Sequence, residues 1–105
     1  MSIPTDANRE LLTVIANARA KPGKEQALRE ALEALVEPTS KEDGYVTYAL
    51  HQGADDPAVF YFYENWESAA HLEAHLATAH IATFLAAMDD LLDGPLVIQQ
   101  LRRIA

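Results

Sequence analysis

The sequence predicts an α+β domain with the element order β-α-β-β-α-β. This is the ferredoxin-like plan, a four-stranded antiparallel sheet with its helices on one face. Three observations carry that expectation. Residues 59–66, VFYFYENW, form a strand-like run that opens apolar on both faces. Two helical stripes, one over 24–36 and one from residue 81 onward, each lie between strand-like runs. Turn signals stand at the junctions: Lys21-Pro22-Gly23, Gly53-Ala54-Asp55-Asp56-Pro57 and Gly94-Pro95.

In chain order, residues 1–9 are polar and read as a loose arm, leaving 10–105 as a single domain. Residues 11–20 alternate as a first strand, with Leu12, Val14, Ala16 and Ala18 on one face and Leu11, Thr13, Ile15, Asn17 and Arg19 on the other. Leu28, Ala31, Leu32, Leu35 and Val36 then recur at three- and four-residue spacing, which predicts a helix over 24–36 that Pro38 ends. Residues 45–52 form the second strand and 59–66 the third. Ser68 is placed to cap a short helix, the pattern pauses near Thr78, and Ile81, Phe84, Leu85, Met88, Leu91 and Leu92 mark a further helix. The last strand covers 96–103.

Composition narrows the function. A chain of 105 residues supports one core and one helical layer. Eight basic against sixteen acidic residues give a net charge of −8, a poor surface for nucleic acid. The absence of cysteine excludes disulfides, thiolate metal sites and cysteine nucleophiles, and fits a reducing cytoplasm. The first ten residues carry no apolar run, so neither a signal peptide nor a membrane anchor is expected.

Right-handed crossovers put both helical units on one face of the sheet. Phe60, Phe62, Glu64 and Trp66 point to one side of the third strand, and Val59, Tyr61, Tyr63 and Asn65 to the other. A strand apolar on both sides implies a second cover, most economically another copy packed sheet to sheet. The expectation is a homodimer enclosing an aromatic chamber.

Glu64 and Trp66, followed by His75 and His80, together with Ala18-Arg19-Ala20-Lys21-Pro22-Gly23-Lys24 and Asp43-Gly44-Tyr45, give the chain its resemblance to a known family. Over residues 11–103 it resembles the antibiotic biosynthesis monooxygenases. The resemblance implies a dimeric α+β barrel. It also implies oxidation of a small aromatic substrate, a quinol or polycyclic phenol, by O₂ with no cofactor. In the polyketide-tailoring members an amide stands four residues before the tryptophan, whereas here that position is Phe62. Haem-degrading relatives imply an axial histidine, a less favoured alternative, and a non-catalytic dimeric module that holds an aromatic ligand is another.

Such chemistry needs a dry aromatic cavity with a few polar groups that move a proton and stabilise a peroxide. Asn17, Trp66 and His80 are the candidate catalytic residues: a mid-strand amide, an indole donor and a proton shuttle. Each also has a structural reading, as a packing amide, a core filler and a capping histidine. Tyr48, Phe62, Glu64, His75 and Phe84 are candidates for binding the substrate. His71 and His75 lie one helical turn apart, but the glutamate between them is not spaced as in zinc proteases and no further ligand set is evident, so no metal is expected.

Overall fold

In a computed structural model, which describes residues 11–105, the elements run β1 (Leu12–Arg19), α1 (Glu25–Glu33), α2 (Val36–Thr39), β2 (Tyr45–Gln52), β3 (Val59–Trp66), α3 (Ala69–Leu76), α4 (Ala79–Leu91) and β4 (Val97–Arg102). The arm expected over 1–9 lies outside the described residues. The sheet order is β2-β3-β1-β4 with every neighbouring pair antiparallel, which is the ferredoxin-like fold. Among the described residues, no helix is long and apolar enough to cross a membrane.

The first helical stretch is interrupted where one continuous helix was expected over 24–36. α1 stops at Glu33, and α2 is a separate single turn that contains Pro38. Proline is tolerated there because an N–H in the first turn has no intrahelical partner to lose. Thr39 and Ser40 still donate to the carbonyls of Leu35 and Val36. Ser68 and Thr78 cap α3 and α4, each side chain accepting from the backbone N–H three residues on.

β2 carries a bulge. Tyr45 pairs with Trp66 and Thr47 with Asn65, so Val46 has no partner on β3. Beyond it Tyr48 stands opposite Glu64 and Leu50 opposite Phe62.

The core lies between the sheet and the helices. Val14, Ala16 and Ala18 of β1, Phe60, Phe62 and Trp66 of β3, and Tyr48 of β2 pack with Leu28, Leu32, Leu72, Ile81 and Phe84 from the helices. Burying each large apolar side chain contributes roughly 1.5–3 kcal/mol before the entropy cost of ordering it. The opposite face is open: Tyr61 and Tyr63 remain 41% and 45% exposed, and Val97 and Leu101 lie on the same side.

Candidate active site

The aromatic chamber lies on the helix side of the sheet, within one chain, and not on the open face as the sequence suggested. It is a cavity of about 240 Å³ lined by Tyr48, Phe62, Glu64, His75 and Phe84, with aliphatic side chains completing the wall. Its position follows from β3. The even-numbered side chains face the helices, and they include the strand's two phenylalanines. Tyr48 stacks on Phe62 with ring centroids 4.3 Å apart, and the Tyr48 and His75 rings meet edge to face at 5.3 Å. Leu76, Leu85 and Ile98 line the cavity yet remain exposed, so they mark its mouth.

Glu64 is the chemically distinctive group in this chamber. Only 4% exposed, it is a carboxyl among aromatic rings. Trp66, two residues along the same strand face, donates its indole N–H to Glu64 Oε1 at 2.9 Å. Burial pushes the Glu64 carboxyl up to about 7; the indole hydrogen bond opposes that shift and the charge of Glu42 adds to it. Burial, with the Glu64 charge second, also raises the Tyr48 phenol above its ordinary range. A buried carboxyl titrating near neutrality in an apolar cleft is poised for general acid–base work.

Behind the chamber wall, His75 and His80 converge on Glu42. His75 Nδ1 and His80 Nε2 lie 2.9 and 2.8 Å from the same oxygen, Glu42 Oε2. A carboxylate oxygen only accepts, so both imidazole nitrogens donate to it in this arrangement. Thr39 Oγ1 lies 3.4 Å from His80 Nε2. Burial lowers the pKa of His75, and Glu42 offsets part of that effect. Glu42 stands on the loop before β2, which sequence reasoning passed over as merely polar. No local periodicity marks it, and the only signal was a pair of neighbouring histidines needing an acceptor.

The residues singled out from the sequence separate into three groups. Tyr48, Phe62, Glu64, His75 and Phe84 share the chamber. Trp66 is fully buried and braces Glu64 without lining the cavity, and His80 lines a separate outer cleft between α1 and α4. Asn17 does not join them. It points to the open face of the sheet, opposite Tyr61 on β3 and Val97 on β4, because odd-numbered β1 positions face away from the helices. His71 is also apart from the cluster, hydrogen-bonded through Nδ1 to Ser68 Oγ at 2.8 Å.

Known proteins share this architecture. The sequence pattern of the family described as antibiotic biosynthesis monooxygenase matches residues 11–87. An Escherichia coli K12 protein named "Probable quinol monooxygenase YgiN" is 37% identical over 90 residues, covering 74% of this chain and 85% of that protein. The crystal structure of PA3566 from Pseudomonas aeruginosa superimposes with a TM-score of 0.88 at 40% identity, covering 93% of this chain and 98% of that one. Rv0793 from Mycobacterium tuberculosis superimposes with a TM-score of 0.85 at 29% identity, covering 90% and 96%. With its fold and these relatives in agreement, the chain belongs to the antibiotic biosynthesis monooxygenase family.

Proposed function

We propose that this protein is a monooxygenase that oxidises a small quinol or polycyclic phenol with O₂ inside the helix-side chamber, the substrate itself supplying the electrons. The observation that carries the reading is Glu64, a buried carboxyl held by the Trp66 indole among aromatic walls. The relative named as a quinol monooxygenase supports the same substrate class. A cavity of about 240 Å³ lies below the size of drug-sized sites and selects a compact, planar aromatic.

Glu64 as carboxylate takes the proton from the phenolic hydroxyl, leaving an electron-rich anion between Tyr48, Phe62 and Phe84. The anion passes electrons to O₂ and a ring carbon bonds to the reduced oxygen, giving a peroxide anion. The O–O bond then breaks and the C–H hydrogen of that carbon leaves as a proton. One oxygen stays on the ring as a carbonyl and the other departs as water, so phenol plus O₂ gives quinone plus water. Glu64 returns its proton to the departing oxygen, and the dry walls keep the anion from reprotonation by solvent.

The reading includes a homodimer through the open face, where Tyr61, Tyr63, Val97 and Leu101 form an uncovered apolar surface. Asn17 would then be an interface residue. Light scattering at micromolar concentration should return twice the chain mass; a monomer there removes this part of the reading.

The decisive test is O₂ uptake with a panel of quinols and polycyclic phenols, using protein kept in chelator and without added flavin. Turnover is expected, with a rate that rises through about pH 7 as Glu64 ionises. If every substrate in the panel fails, or if uptake requires flavin, the proposal is wrong.

A further inference from the structure

We propose that Glu42, His75 and His80 form a binding site for one divalent transition-metal ion, of the zinc or iron(II) class, in the layer behind the chamber wall. Each residue offers one donor atom, and the three atoms all lie within 4.8 Å of one another. They come from the loop before β2, from α3 and from the first turn of α4, so the fold assembles a set that is scattered in the sequence. This set shares only His75 with the His71–His75 pair.

The donor chemistry selects the ion. Two imidazole nitrogens and one carboxylate suit zinc, iron(II) or cobalt(II), whereas calcium and magnesium call for all-oxygen cages. Three protein ligands leave a fourth position for water. Bonds of 2.0–2.2 Å in a tetrahedron separate neighbouring ligands by about 3.3 Å. The two contacts to Glu42 are 2.9 and 2.8 Å and the whole set lies within 4.8 Å, so an ion would enter by lengthening those two contacts by about half an ångström, adjusting the histidine pair between them and replacing the two shared protons.

Access and support are both present. His75 is 2% exposed and anchors the inner end, while the His80 side chain is 22% exposed and lines the outer cleft of about 240 Å³. Leu35 and Phe84 wall both this cleft and the chamber, and Thr39 Oγ1 lies against His80 as an outer hydrogen-bonding group. Glu42 and His80 do not line the chamber, so the ion would sit outside it and would not touch the aromatic substrate. His75 is shared with the chamber wall, but the test below reads metal binding alone, so the site stands or falls whether or not the oxidation reading does.

The test is calorimetric titration of the full, chelator-stripped chain with Zn²⁺, repeated with Co²⁺ and followed by visible absorption. One ion per chain is expected with a Kd in the micromolar range or tighter, together with the d–d bands of four-coordinate cobalt. Proton release should appear as heat that varies with the buffer's ionisation enthalpy. Glu42→Gln and His80→Gln should each weaken binding at least tenfold, and His51→Ala, at an exposed histidine, should leave it unchanged. Circular dichroism without metal checks that each variant folds. Absence of stoichiometric binding to the wild-type chain overturns the proposal, and so does binding that survives both the Glu42 and the His80 substitutions.

Discussion

The two faces of β3 are built from nearly the same materials and end in opposite conditions. Phe60, Phe62, Glu64 and Trp66 face the helices and are buried, whereas Tyr61 and Tyr63 on the other side remain exposed over nearly half of their surface. The polar groups differ in the same way. On the sheet's open side Thr13 donates to the Asn65 amide oxygen at 2.6 Å, a neutral, part-buried pair. On the helix face Glu64 has one indole donor and no water-like environment, and its proton affinity rises accordingly. Aromatic content alone did not separate the faces; the depth at which an ionisable group is placed does.

The comparison breaks first at Glu64. Glu64→Gln keeps the shape and the indole contact but removes the base, so the rate of O₂ uptake should fall about 10²–10⁴-fold, the usual value of general acid–base catalysis. A loss below tenfold would assign the proton to another group. Next comes packing. Phe60→Ala, at a fully buried site, should cost about 3–5 kcal/mol in urea unfolding. Its neighbour Tyr61→Ala should cost less than about 1 kcal/mol at concentrations where the chain is monomeric. Equal costs would mean that the open face is covered within the chain.

The pH dependence sharpens the contrast. Because the folded-state value of Glu64 is raised from 4.5 to about 7, its stabilising contribution is complete below the unfolded value and is lost as pH rises through the folded one. From about pH 4 to pH 8 the wild type should therefore lose about 3 kcal/mol relative to Glu64→Gln, measured as the gap between their unfolding free energies. A constant gap would show that the carboxyl is hydrated. The smallest expected effect belongs to Asn17→Ala, which should leave kcat within about twofold. A large loss there would return the chemistry to the open face, where the sequence reading had put it.

Much of the scaffold was legible because it is local. β2 and β3 were expected at their observed limits and Ser68 marked a helix start through its hydroxyl, whereas Thr78 showed only as a pause and its capping role emerged in the structure. The break after Glu33 was not visible, because Leu35 and Val36 continue the apolar stripe while the backbone turns beneath them. The chamber residues Tyr48, Phe62, Glu64, His75 and Phe84 were legible as types, but which face of the sheet holds them was not. The alternation defines two faces and does not say which one the helices leave hollow. Glu42 escaped entirely, since its contacts to His75 and His80 span 33 and 38 residues of chain and no spacing rule connects them.

The unpaired Val46 has a consequence for the chamber's chemistry. Had Val46 paired with Asn65 instead of bulging out, the count along β2 would slip by one, so that Thr47 rather than Tyr48 met Glu64. A short aliphatic hydroxyl would then replace the phenol ring stacked on Phe62, and the slot between them would lose its flat wall. The flat aromatic wall of the chamber thus depends on an irregularity in hydrogen-bond counting at the rim of the sheet.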